Sequence, residues 1–280
     1  MKSILKVFVL FLGLSSTTVF AAKVDTVTTY SPSMKKSIKA VVITPDSYPE
    51  RGKMPVLYLL HGYSGNYGSW PNDMPIIKEL ADRHQFIIVS PDGNFSSWYF
   101  DSPVDPTYNY ETYISKELTN WIDNNFKTID DRSGRAITGL SMGGHGGLFL
   151  GFRHQDVFGA CGSMSGGVDI RPFPDNWDIA KRLGDEKTHP ENWEKNTVIN
   201  QLYLLTPNSM KIIFDCGTED FFYPVNVRLH EELAYRKIPH DFISRPGQHN
   251  VAYWINSVKY QAQFFADFFN SNKKEGIHLN

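Results

Sequence analysis

The chain has 280 residues, 41% of them hydrophobic and 14% aromatic, with a formal net charge of -2 at pH 7. That length suits one large α/β domain or two small ones, and the apolar content is ample for a packed core. The near-neutral balance gives no general pull toward nucleic acid or anionic membranes, and no heptad run, low-complexity tract or internal repeat stands out.

The chain opens with a targeting pattern. Lys2 and Lys6 are its positive start, Val7 to Leu12 its apolar middle, and Val19-Phe20-Ala21 its small-x-small end. This predicts a signal peptide over residues 1–22 and an exported protein, periplasmic or secreted. The apolar run is too short to span a bilayer comfortably, so no stable membrane anchor is expected. No cysteine follows it, which argues against lipoprotein attachment. The remainder reads as one domain over 23–272 with a short flexible tail over 273–280.

Asp25 to Tyr30 and Ser37 to Ile43 alternate polar and apolar residues, as the strands of an edge hairpin do. Pro55 to Leu60 is a continuous apolar run, the pattern of a strand covered on both faces. It leads straight into His61-Gly62-Tyr63-Ser64-Gly65. A helix is predicted over Ile76 to His84 and a buried strand over Phe86 to Ser90. Asn109 is placed to cap a helix whose Tyr110, Ile114, Leu118 and Trp121 share a face. Arg135 to Thr138 and Ala160 to Ser165 read as further strands, with a helix from Gly147 to Phe152 between them. Residues 168–209, rich in proline, tryptophan and charge, read as an excursion over the carboxyl edge of the sheet. Lys211 to Asp215 returns to a buried strand, Pro224 opens a helix, His240 to Ser244 is the last strand, and a helix carrying Trp254, Val258, Phe265 and Phe268 closes the chain. Strands alternating with helices imply a mostly parallel sheet with helices on both faces, whose carboxyl edge is where sites form. Cys161 and Cys216 fall in central strands. An exported protein can pair its cysteines, but disulfide geometry is rarely comfortable inside neighbouring strands, so two free buried thiols are expected. They are too few and wrongly spaced for zinc.

Gly139-Leu140-Ser141-Met142-Gly143 lies between a strand and a helix, where G-x-S-x-G forms the nucleophile elbow of α/β-hydrolases. The turn lifts the Ser141 hydroxyl above the sheet edge and aims the Met142 N–H at any oxyanion formed there. A serine hydroxyl needs a base, and the base needs a carboxylate to orient it. The expected order is serine, acid, histidine, each after a later strand. Asp220 follows the strand over 211–215 and His249 follows the strand over 240–244, so these are the assigned acid and base. Glu219 is the rival acid, and Asp215 is a weaker one because it lies within its strand. His61 precedes the serine and is expected to shape the oxyanion loop, in which the Tyr63 N–H is the second donor. His145 follows Ser141 by one helical turn and should point away from the attacking oxygen. Trp98 and Tyr99 are candidate walls of a substrate pocket, with core packing as the other reading. Trp177 and Trp193 are candidate sugar-stacking rings on the same terms.

These blocks together, with Ser97-Trp98-Tyr99, Gly217-Thr218-Glu219-Asp220 and Gly247-Gln248-His249-Asn250 through Trp254, resemble the putative-esterase, or esterase D-like, family over about residues 35–270. The resemblance implies an α/β-hydrolase fold, a Ser141–His249–Asp220 triad, Tyr63 and Met142 as oxyanion donors, and no metal or organic cofactor. Family members include S-formylglutathione hydrolases, tributyrin esterases, feruloyl and acetyl xylan esterases of the first carbohydrate esterase family, and mycolyltransferases. Asn250 departs from the family, where many relatives carry tryptophan or serine. The export pattern argues against a cytosolic thioester and favours a small-molecule or oligosaccharide ester, with plant polysaccharide fragments foremost. Acyl transfer to an acceptor other than water, a formylglutathione-type thioesterase, and a non-catalytic binding protein on the same scaffold are the alternatives.

Overall fold

In the computed structural model the described residues run from 22 to 277. The predicted signal peptide therefore lies outside them except for Ala22, and so do residues 278–280.

Eight strands form one sheet: β1 (Lys23–Ser31), β2 (Lys36–Thr44), β3 (Val56–Leu60), β4 (Ile87–Pro91), β5 (Arg135–Gly139), β6 (Ala160–Met164), β7 (Lys211–Gly217) and β8 (Asp241–Arg245). Their spatial order is β1-β2-β4-β3-β5-β6-β7-β8. The β1–β2 hairpin is antiparallel and joins antiparallel to β4, while every pair from β4 to β8 is parallel. Parallel strands reach their neighbours through crossovers, and those crossovers supply the helices that cover both faces.

Strand alternation divides the core in two. Val56, Tyr58 and Leu60 of β3 face a cluster that includes Tyr113, Leu118 and Phe149. Leu57 and Leu59 face the opposite cluster, with Ile77, Leu80, Val258 and Phe265. The first face is covered by α3 (Tyr110–Thr112), a π-helical turn (Tyr113–Leu118), α4 (Thr119–Asn125), α5 (Met142–Arg153) and α8 (Tyr223–Tyr235). The second is covered by α1 (Ser69–Asp73), α2 (Ile76–His84) and the long α9 (Val251–Ile277). Residues 168–209 carry only short pieces, α6 (Ile179–Leu183), α7 (Pro190–Asn196) and a 3-10 segment (Val198–Leu204), the last of which lies against α5.

The structure corrects several local expectations. Asn109 does not cap its helix; its side-chain amide donates to the Ser33 and Pro106 carbonyls instead. The helix after it is not uniformly α. The wider π turn shifts the register, so Ile122 takes the buried place and Trp121 stays half-exposed. α9 continues through Ile277, into the stretch 273–280 expected as a tail. Strand β7 runs two residues beyond Asp215, which leaves that carboxylate fully buried within it. Cys161 and Cys216 are free and buried. The β6–β7 register sets Cys161 opposite Ile212, so Cys216 lies four residues farther along, about 13 Å at the usual strand rise.

Candidate active site

Ser141 sits at the turn from β5 into α5, with φ 56° and ψ −117°. Such a backbone costs a non-glycine residue on the order of 1–3 kcal/mol and persists only where the surroundings impose it. Here the imposition is close packing. A Cβ on Gly139 or Gly143 would collide with the Leu60 carbonyl, so glycine at both ends lets the elbow pass against the end of β3. The Ser141 N–H donates to the Met164 carbonyl at 2.9 Å, which ties the elbow to β6.

The structure brings Ser141, His249 and Asp220 together. His249 Nε2 stands 2.9 Å from Ser141 Oγ, and His249 Nδ1 stands 2.8 Å from Asp220 Oδ2. The Asp220 side chain is buried, and its Oδ1 accepts the Phe222 N–H at 2.8 Å. With Asp220 accepting at Nδ1, the imidazole carries its proton there and leaves Nε2 free to accept from serine. The loops are laced together: Thr218 N–H donates to the Arg245 carbonyl and Glu219 N–H to the Gly247 carbonyl. Asn250 adds a helix cap, its Oδ1 accepting the Tyr253 N–H at 3.0 Å and so fixing the start of α9 directly behind His249. The rival acids are engaged elsewhere. Glu219 accepts from Gln248 at 3.1 Å, and Asp215 is held by Ser257, by Gln261 Nε2 at 2.8 Å and by Arg245 Nη2 at 3.4 Å. Burial pushes the Asp215 carboxyl above its ordinary range.

The loop after β3 is set by His61. The Gly93 N–H donates to His61 Nε2 at 2.8 Å, so Nδ1 carries the hydrogen and donates to the Gly62 carbonyl at 2.7 Å. Burial holds the His61 pKa below its ordinary value, which keeps this tautomer neutral. The Tyr63 and Met142 amides donate to no protein acceptor among the described residues.

A cavity of about 460 Å³ opens over Ser141 and His249. One part of its wall is aromatic and apolar, with Trp177, Phe221, Trp254 and Val251; another is polar, with Ser64, Ser69 and Asp73. The Phe221 ring lies 4.3 Å from the His249 ring and stacks on Trp177 at 5.4 Å. Trp254 meets His249 edge-on at 4.9 Å. A larger groove of about 690 Å³ on the flank of α5 contains none of these groups. Its central charges are already paired, Glu111 accepting from Arg153 and His154 at 2.8 Å each.

Trp98 and Tyr99 do not line the cavity over Ser141; both are fully buried behind it. Their backbones, at φ 52° and 62°, turn the rings into the core. Trp98 Nε1 donates to the Trp177 carbonyl at 3.0 Å, and Tyr99 Oη donates to the His61 carbonyl at 3.0 Å. They therefore brace the residues that form the site. Trp193 is likewise buried, donating to Gly184, whereas Trp177 reaches the cavity. Asp101 is taken up by Thr112. Sequence reasoning missed Phe221, Ser69 and Asp73. Phe221 has a signal, being the residue after the assigned acid; Ser69 and Asp73 have none beyond following the His61–Gly65 loop.

The chain is similar to known esterases. The family model described as "Putative esterase" matches residues 31–265. An esterase of Mycobacterium tuberculosis, Rv1288, is 37% identical over 134 residues, 46% of this chain, and the match covers only 29% of that longer protein. An acetyl esterase of Caldicellulosiruptor saccharolyticus is 25% identical over 251 residues, covering 80% of this chain and 91% of its own. Among solved structures, a ferulic acid esterase superposes with a TM-score of 0.77 at 28% identity, covering 89% of this chain and 99% of its own. The chain belongs to the Putative esterase family and carries an α/β-hydrolase fold.

Proposed function

We propose that the protein is an exported serine carboxylic ester hydrolase acting on short-acyl or feruloyl and acetyl esters, with polysaccharide fragments as the substrate class. The observation that carries this is the continuous relay from Ser141 Oγ through His249 to the buried Asp220, at 2.9 and 2.8 Å. Ser141 Oγ attacks the ester carbonyl as His249 Nε2 takes its proton. The tetrahedral oxyanion is held by the Tyr63 and Met142 N–H groups, the latter at the N-terminal end of α5 where the helix dipole adds to the attraction. Asp220 keeps the imidazole in the right tautomer and stabilises its charged form. His249 then hands the proton to the leaving alcohol, the Ser141 ester remains, and a water deprotonated by His249 releases the acid and restores the serine.

Acetyl and feruloyl esters are favoured by the similarity to an acetyl esterase and a ferulic acid esterase. The aromatic wall of Trp177, Phe221 and Trp254 suits a planar acyl group. Export rests on the N-terminal pattern alone. No helix among the described residues is long and apolar enough to cross a membrane. The test is a panel of nitrophenyl acetate, butyrate and octanoate with methyl ferulate and acetylated xylo-oligosaccharides, run on the purified mature protein. Preference for ferulate or acetyl-xylan supports the polysaccharide assignment; activity on simple short-acyl esters alone removes it. Acyl transfer is separated by product analysis with an added sugar alcohol, since transfer products in place of free acid would replace hydrolysis as the reaction.

A further inference from the structure

We propose that Asp73 selects the alcohol half of the substrate: it accepts hydrogen bonds from uncharged, hydroxyl-bearing leaving groups and turns away anionic ones. This rests on the esterase reading above.

Asp73 lines the same cavity as Ser141 and His249. It is exposed, and its carboxylate has neither a hydrogen-bond nor an ion-pair partner among the described residues. Its position gains the fold nothing. It is the last residue of α1, where the carbonyl ends of the helix disfavour negative charge. Yet the helix that carries it is firmly placed. Trp70 is fully buried and donates from Nε1 to the Leu60 carbonyl at 2.9 Å, pinning α1 to the end of the strand that leads into the oxyanion loop. A carboxylate carried on a fixed helix at a reactive cleft, without a structural partner, is available to a ligand.

The neighbouring chemistry says which ligand. Ser69 Oγ accepts the Asn66 N–H at 3.0 Å, which leaves its own proton to donate into the cavity. Beside it, a carboxylate offers only acceptors and can take two hydroxyl donors at once. A serine donor next to a carboxylate acceptor matches the alternating donors and acceptors of a polyol. No lysine or arginine lines this cavity, so an anionic leaving group would meet Asp73 with no permanent cation to offset the repulsion. A neutral sugar ester meets no such repulsion.

The test holds the acyl group constant and varies the alcohol: glycerol monoacetate (neutral polyol), O-acetyl-lactate (anionic) and acetylcholine (cationic). Wild type, Asp73→Asn and Asp73→Lys are compared by ratios of kcat/KM, which cancel any difference in folded fraction. Wild type should prefer glycerol monoacetate over O-acetyl-lactate by about tenfold or more, the order expected for one like-charge contact near a surface. Asp73→Asn should raise the ratio of O-acetyl-lactate to acetylcholine by about tenfold, Asp73→Lys should raise it further, and the change should fall mainly in KM. Ratios that stay the same across the three proteins overturn the proposal while leaving the esterase reading intact. A wild type that hydrolyses none of these esters, nor nitrophenyl acetate, overturns both.

Discussion

His61 Nδ1 holds the Gly62 carbonyl at 2.7 Å, and through that carbonyl it orients the amide of the next residue. The Gly62 C=O and the Tyr63 N–H belong to one planar trans peptide, so they point in opposite directions. With the carbonyl drawn toward His61 and also toward the Gly65 N–H at 3.1 Å, the Tyr63 N–H is turned the other way. The histidine thus acts one bond behind the proposed oxyanion donor, in a tautomer set by Gly93.

His61→Ala is therefore expected to lower kcat by roughly 10²–10³, the range for loss of one oxyanion donor, while KM changes little. The measurement is steady-state kinetics on nitrophenyl acetate with circular dichroism to confirm folding. A folded variant with wild-type kcat would remove His61 from the positioning role.

The acid assignment separates cleanly by substitution. Asp220→Asn removes the acceptor at His249 Nδ1 and is expected to cost about 10⁴ in kcat, as tautomer loss does in other triads. Glu219→Gln touches only a solvent-exposed bond to Gln248 and should stay within about threefold. The opposite ranking would transfer the role to Glu219.

The pH dependence of stability follows from buried neutral histidines. His145 is enclosed by Trp98, Phe100 and Phe149, and burial lowers its pKa to about 3. His61 is shifted the same way by burial. In the unfolded chain both take up a proton near the ordinary histidine value of about 6.5. Their stabilisation is therefore complete above that pH and is lost as the pH falls from about 6.5 toward the folded value of about 3 for His145. The midpoint temperature of wild type should drop steadily over that interval. His145→Phe, which suits the aromatic enclosure but gives up the bond from Nε2 to the Asn196 carbonyl, should show a flatter profile. Equal slopes for the two proteins would rule out His145 as a source of the acid sensitivity.

Much of this was legible without coordinates because the fold and the site obey local rules. The apolar run of β3 and the glycines around Ser141 each have one economical explanation, and the order serine, acid, histidine follows from the strand ends. The residues around the cavity did not have that property. Trp98 and Tyr99 follow a strand end just as a pocket wall does, and only their positive φ values, invisible in a sequence, send both rings inward. Trp177 reaches the cavity because Trp98 anchors its carbonyl, a contact 79 residues apart. Asp73 is one more polar residue in a short helix until Trp70 is seen to pin that helix beside Ser141. The helix after Asn109 hides its π turn for a related reason, since the apolar spacing of Tyr110, Ile114 and Leu118 fits either helix and only the structure shows Ile122 in the buried place.

The role of Ser141 as nucleophile is tested most directly by hydrolysis of nitrophenyl acetate by the purified protein beside Ser141→Ala, with a fluorophosphonate probe applied to both. Wild type should turn over, label on Ser141 and lose activity in step with labelling. Ser141→Ala should retain its fold, take no label and lose on the order of 10⁶ in kcat. Turnover by Ser141→Ala at the wild-type rate, or labelling of wild type at another residue with loss of activity, would show that Ser141 is not the nucleophile.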